Sequence, residues 1–173
     1  MSKKHRLFFA LVPDQPILDR IAAVQHAVNG NGRAARPHQF HVTLAFLGMQ
    51  ETAQVPAILE VASRLEFTPC NVALDRLGRF KRAGVLWLGS KKIPGSLQTF
   101  QQALVDGLLA AGIGYDRKPW IFHLTLYRKM RKRPPIMDPV AIEWPINGFQ
   151  LIESVGVKNG VEYHTIGQWS TPA

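Results

Sequence analysis

A chain of 173 residues, 46% of them apolar, can bury one core but not several, so we expect a single domain over 1–173 made of two similar lobes. The lone cysteine, Cys70, excludes an intramolecular disulfide, and no His or Cys spacing fits a zinc finger. A net charge of +9 favours anionic partners such as nucleic acid, against the plainer reading of a basic protein with scattered Lys and Arg.

The first apolar run, residues 7–12, reads as a buried strand. It is too short for the core of a signal peptide, and no later stretch approaches a membrane span, so a reduced cytoplasm is the expected location. Asp14 then caps a helix over 14–29, with Pro16 in its first turn and Ile17, Ile21, Val24 and Val28 on one face. Asn29-Gly30-Asn31-Gly32 stops it, and a basic loop follows over 33–37. Residues 40–47 form a strand closed by Gly48. A second helix is expected over 51–67, with Pro56 in its first turn.

Residues 69–77 read as a strand, 78–84 as a turn carrying three cations, and 85–88 as a fully apolar strand. A third helix spans 96–111, capped by Ser96 and ended by Gly112. After a loop at 115–119 comes a strand over 120–127, then a basic surface loop over 128–135. Residues 142–146 make a weak strand broken by Pro145. The last segments, 148–157 and 161–169, form a hairpin through Lys158-Asn159-Gly160, a strong turn signal. Cys70 lies in an apolar run and reads as a small core residue rather than a nucleophile.

Strand, helix and strand recur in the same order over 7–47 and 85–127. The second strand of each unit carries a matching run: Phe40-His41-Val42-Thr43-Leu44 and Phe122-His123-Leu124-Thr125-Leu126. Residues two apart on a strand share a face, so each run presents a His with a Thr and buries its apolar residues behind them. The fold class expected is α+β and bilobal: two pseudo-symmetric lobes, each an antiparallel-rich sheet flanked by helices, with an active-site cleft between them.

Histidine changes charge near neutral pH. Two imidazoles in one cleft can divide an in-line displacement, the neutral one taking a proton from the attacking oxygen and the cationic one protonating the leaving oxygen. Thr43 and Thr125 can hydrogen-bond non-bridging phosphate oxygens. No carboxylate cluster offers a metal site, so we expect no cofactor and no metal. A phosphodiester suits the charge and the donors, and an RNA 2′,3′-cyclic phosphate suits them best, because water and two proton transfers suffice to open its strained ring. One His-x-Thr on a strand is commonly just a polar face; two copies with matching apolar flanks are much harder to attribute to coincidence.

Paired His-x-Thr-x motifs half a chain apart resemble the 2H phosphoesterase superfamily, and within it the bacterial and archaeal RNA 2′,3′-cyclic phosphodiesterases, also called 2′-5′ RNA ligases. The resemblance also covers Arg6-Leu7-Phe8-Phe9-Ala10, the Ala45-Phe46-Leu47-Gly48 tail of the first motif, Val85-Leu86-Trp87-Leu88-Gly89, Tyr127-Arg128 after the second, Leu151-Ile152-Glu153-Ser154 and Gly160-Val161-Glu162-Tyr163. It implies hydrolysis of cyclic ends to 2′-phosphate ends, with His41 as proton donor to the leaving O3′ and His123 as proton acceptor from water. Thr43, Thr125 and Arg128 would hold the phosphate. The chain departs from the family pattern at Phe122, where the family has Pro, and at Gln39, where it often has Asn. On an ideal strand Arg128, five residues after His123, faces away from it; a bulge near Tyr127 would bring it back.

The clusters Arg79, Lys81, Arg82 and Arg128, Lys129, Arg131, Lys132, Arg133 could guide RNA, but solvated loop charge is the plainer reading. Phe8, Phe9 and Trp120 could stack a base but read as core. His5, His26, His38 and His164 lack a Thr two residues on and read as surface or loop. The expected partner is an RNA or nucleotide with a cyclic phosphate end, without a membrane or an obligate protein partner, and the chain is expected to be monomeric. Two other readings use the same cleft: a non-catalytic RNA-end binder, and 2′-5′ end joining by the reverse chemistry.

Overall fold

The computed structural model describes residues 1–132 and 141–172. The first half runs through strand β1 (Lys4–Leu11), helix α1 (Gln15–Val28), the short strand β2 (Arg33–Ala34), a 3-10 turn (Pro37–Gln39) and strand β3 (Val42–Glu51). A second 3-10 turn (Thr52–Gln54) leads into α2 (Val55–Ser63). Strands β4 (Cys70–Leu74), β5 (Arg76–Phe80) and β6 (Val85–Gly89) precede α3 (Gly95–Ala110) and β7 (Leu124–Arg128). Strands β8 (Ile142–Ile146), β9 (Gly148–Val157) and β10 (Gly160–Ser170) close the chain.

The local signals hold where they are purely local. Asp14 caps α1 by accepting from the Ile17 N–H at 3.3 Å, Pro16 sits in the first turn, and Asn29 ends the helix at φ 47°. Ile17, Ile21 and Val28 are buried, as their spacing requires. The final hairpin turns at Gly160, whose φ of 138° excludes most side chains.

Other boundaries shift. The expected helix over 51–67 is a 3-10 turn followed by nine residues of α2. The expected strand over 69–77 is two strands in different sheets, and Gly78–Phe80 belong to β5, so the turn is confined to the residues after it. Ser96 is inside α3, whose cap is Pro94 with no side-chain hydrogen bond. Pro145 does not break β8; it pairs with Asn71 in a two-stranded sheet, where each strand is an edge that tolerates a missing donor. His5 and His164 lie on strands, and His5 bonds Glu153 at 2.7 Å rather than sitting in a loop. Of the basic loop over 128–135, Arg128 closes β7, and 133–135, Arg133 among them, lie outside the described residues.

The architecture is α+β, with antiparallel sheets flanked by three helices among the described residues. The large sheet runs β10-β9-β1-β3-β7-β6-β5, with β2 paired to β7, and β4 with β8 forms the second sheet. The first strand–helix–strand unit contributes β1 and β3, and the second β6 and β7. β2 pairs with β7 across the halves, and the two motif strands meet at one bridge, Val42 opposite Leu124. These are the residues between His and Thr in each motif, so antiparallel register sets His41 across from Thr125 and His123 across from Thr43. Behind the sheet, α1 and α3 bury Ile21, Phe100, Leu104 and Leu108 against Val42, Leu44, Leu124 and Leu126. Each large apolar side chain so buried contributes about 1.5–3 kcal/mol. Phe8, Ala10 and Ile152 form a smaller cluster apart from this core.

Candidate active site

Both histidines sit one residue ahead of their strands, not within them. The two are held alike. The Nδ1–H of His41 donates to the carbonyl of Gln39 at 2.8 Å, and that of His123 to the carbonyl of Ile121 at 2.7 Å. A carbonyl only accepts, so Nδ1 carries the proton and each Nε2 keeps its lone pair. Nε2 of His41 meets the Thr43 hydroxyl at 3.1 Å, as the two-residue spacing requires.

A cavity of about 410 Å³ opens on this face of the sheet, and His41, Thr43, Thr125 and Arg128 line it. His123 is not among the lining residues; its ring stands edge-on to Phe80, with centroids 4.9 Å apart, and against Trp87 at 6.2 Å. His41 is enclosed by Phe8, with centroids at 4.9 Å, and by Tyr163 at 5.5 Å. Burial pushes the His41 imidazole down to about 4, helped by the charge of Arg128. Burial also lowers His123, again with Arg128 contributing. Burial raises the Tyr163 phenol. In the free protein at neutral pH both imidazoles are therefore uncharged.

Arg128 reaches the cavity by the route an ideal strand forbids. Thr125 pairs with Trp87 and Tyr127 with Leu86, leaving Leu126 as an extra residue in β7. Leu126 and Tyr127 are both buried, and the alternation resumes with Arg128 on the cleft side. The first motif carries the same bulge: Thr43 pairs with Ala10 and Ala45 with Phe9, leaving Leu44 extra. Phe46, five residues after His41, thereby enters the cavity as the counterpart of Arg128, with the Arg6 guanidinium 5.1 Å from its ring centroid.

Each bulge is braced by a glutamine from the other half. Gln25 of α1 donates to the carbonyls of Leu126 and Ala35, both at 2.8 Å, and its own carbonyl accepts from the Tyr127 hydroxyl at 2.8 Å. Gln101 of α3 donates to the carbonyl of Leu44 at 3.1 Å. Trp120, half-buried, donates its indole N–H to the carbonyl of Thr43 at 2.9 Å. Gln39 donates to the carbonyl of Val161 at 2.7 Å, tying the first motif to β10.

Sequence reasoning missed Phe46, Arg6, Tyr163, Gln25 and Gln101. Phe46 was legible, since it stands at the same offset from His41 as Arg128 does from His123. Phe8 read as core and is 4% exposed, yet it lines the cavity against His41. Phe9 is core. Arg79, Lys81 and Arg82 are not among the cavity residues. Among the described residues, no group of three His, Cys, Asp or Glu side chains is placed to hold a metal ion, and no helix is long and apolar enough to cross a membrane.

Known proteins are similar to this chain over nearly its whole length. The RNA 2′,3′-cyclic phosphodiesterase of Thermus thermophilus is 31% identical over 180 residues, covering 95% of this chain and 89% of that one. The enzyme of the same name from Escherichia coli K12 is 27% identical, covering 98% of each. The crystal structure of E. coli LigT complexed with 3′-AMP superposes with a TM-score of 0.88 at 25% identity, over 97% of this chain and 98% of that one. Residues 13–158 match the family model of the 2′-5′ RNA ligase superfamily. That match spans both His-x-Thr runs and the bridge joining them, and the chain belongs to the 2′-5′ RNA ligase superfamily.

Proposed function

We propose that the protein hydrolyses the 2′,3′-cyclic phosphate ends of RNA to 2′-phosphate ends, acting as one catalytic domain and as a monomer in the cytoplasm. Relatives of that activity match over nearly the whole chain. The observation that carries the reading is the pair of imidazoles whose Nδ1–H groups are tied to backbone carbonyls, leaving Nε2 as the nitrogen that gains or loses a proton on each, that of His41 beside the Thr43 hydroxyl. Water attacks phosphorus and the P–O3′ bond breaks. His123 takes the proton of the attacking water, and His41 gives a proton to the departing O3′. One water is consumed, and the products are a 2′-phosphate monoester and a free 3′ hydroxyl.

The Thr43 and Thr125 hydroxyls donate to the non-bridging oxygens, and Arg128 supplies the cation beside them. His41 must carry a proton to act as the acid, and burial opposes this in the free protein. The arriving diester anion offsets that penalty, so substrate and proton enter together.

The test is product analysis on an oligonucleotide with a 2′,3′-cyclic end. The expected product is the 2′-phosphate, with His41→Ala and His123→Ala each lowering kcat by about 10²- to 10⁴-fold. A 3′-phosphate product would reverse the leaving group. A 2′-5′ joined product would identify ligation, and tight binding without turnover an RNA-end binder. Full activity in both variants would sink the two-histidine mechanism.

A further inference from the structure

We infer that Arg33 and Arg36 form a second anion subsite, which takes the phosphodiester on the 5′ oxygen of the nucleotide whose cyclic phosphate is opened. The inference rests on the cyclic phosphodiesterase reading and names what that site prefers: the end of a chain over a single nucleoside cyclic phosphate.

The cavity holds more positive charge than one cyclic phosphate needs. Arg6, Arg33, Arg36 and Arg128 line it, and no Asp or Glu does. Among the described residues none of these four arginines forms an ion pair with a carboxylate. A cyclic phosphate diester carries a single negative charge. Arg128 acts on both imidazoles and so belongs to the phosphate that reacts. Arg6 is held over the Phe46 ring. Arg33 and Arg36 are left without an anion.

Their placement is built rather than scattered. In the β2–β7 ladder Arg33 stands directly opposite Arg128. Cross-strand partners have Cβ atoms about 4.5–5.5 Å apart, and like charges in that position destabilise the pair. Such an arrangement is relieved by anions lying between and beside the guanidiniums. The second observation is at the hairpin turn. Arg33 and Arg36 converge over Gly160, the Nη2 of each 3.7 Å from where a Cβ there would stand. Arg36 is oriented by a bond from its Nη2 to the carbonyl of Asn159 at 3.0 Å. Two guanidiniums therefore meet over a residue without a side chain, on the cavity wall, one residue pair from the arginine of the reacting phosphate.

The chemistry of the substrate supplies the ligand. Besides its cyclic phosphate, the anion nearest a 2′,3′-cyclic end is the phosphate on its own 5′ oxygen. A guanidinium pair is suited to it, since each can offer two parallel N–H donors to one phosphate.

The experiment compares three substrates in the intact protein: adenosine 2′,3′-cyclic phosphate, its 5′-phosphorylated form, and the dinucleotide ApA with a 2′,3′-cyclic end. The wild type is expected to show kcat/KM about tenfold higher for the dinucleotide than for the nucleoside, mostly through KM. The slope of log(kcat/KM) against log salt should be steeper for the dinucleotide by about one. Arg33→Gln and Arg36→Gln should each reduce the dinucleotide-to-nucleoside ratio about fivefold or more. A 5′-phosphorylated nucleoside matching the dinucleotide means that a terminal phosphate fills the subsite as well as an internucleotide one; a lower value means that the chain beyond it contributes. Equal kcat/KM and equal salt slopes for nucleoside and dinucleotide in the wild type would overturn the inference, whether or not the variants fold. So would a ratio unmoved by both substitutions. Failure of the wild type to open any of the three would instead overturn the activity on which the inference rests.

Discussion

The amide of Gln25 donates to the carbonyl of Leu126 at 2.8 Å, across 101 positions of sequence. Leu126 is the extra residue of the β7 bulge, and that bulge returns Arg128 to the cleft side. A glutamine on α1 in the first half therefore governs the aim of a cation in the second. Gln101 does the same in reverse for the Leu44 bulge and Phe46.

Replacing Gln25 by Met removes the side-chain donor from the half-buried Ala35 carbonyl and one of the two donors from the buried Leu126 carbonyl, which keeps the Ala35 N–H. The expected cost is about 1–3 kcal/mol of stability, measured by denaturant unfolding. Activity should fall about tenfold in kcat/KM. The loss should largely disappear in an Arg128→Gln background, because the brace acts through Arg128. Equal losses in both backgrounds would mean that Gln25 only stabilises the fold.

The two imidazoles set the pH dependence. His41 stands at about 4 and His123 below its ordinary 6.5, both chiefly through burial. The proposed mechanism needs one protonated and one neutral imidazole, and kcat/KM reports the free enzyme. Since both lowered values lie under 6.5, the doubly neutral form dominates at pH 7, and kcat/KM should fall as pH rises through 7. A plateau or a rise between pH 7 and 8 in the kcat/KM profile would refute this.

Arg128→Gln removes a positive charge that lowers both histidines. Both imidazoles should then titrate at higher pH, read by proton NMR of the ring C–H signals. The acidic limbs of the kcat/KM profile should move in the same direction, while KM rises through the lost phosphate contact. Unmoved histidines would place the guanidinium away from the imidazoles.

The indole of Trp87 lies over Gly78; a Cβ there would overlap Cζ2 of the ring. Gly78→Ala must therefore displace Trp87, one of the two aromatic walls of His123. A cost of about 1–3 kcal/mol is expected from overpacking, measured by thermal unfolding. Burial is the largest cause lowering His123, so its titration should shift up while that of His41 stays. An unchanged His123 would show that Trp87 does not shield it.

The His–Thr pairs of the candidate site were legible in the chain because they are local. A strand alternates faces every residue, so His41 with Thr43 and His123 with Thr125 could be paired by counting. The same holds for the cap at Asp14 and the turn at Asn159-Gly160, which depend on residues a few positions apart. Helix ends set by tertiary packing, such as the early stop of α2 at Ser63, were not legible.

What only the tertiary structure decided is where the alternation fails. Leu44 and Leu126 read as ordinary core residues; they become bulges because their partner strands have one residue fewer, and because glutamines from distant helices satisfy their carbonyls. The same holds for the contact between the two motif strands, a single bridge at Val42 and Leu124 that sets each histidine across from the other motif's threonine. It also holds for the opposition of Arg33 and Arg128. Register between strands far apart in sequence is a property of the assembled sheet, where backbone hydrogen bonds on both edges must be satisfied at once. The sequence by itself determined that each histidine shares a face with its threonine, and the sheet determined that Arg128 lines the cavity with His41, Thr43 and Thr125.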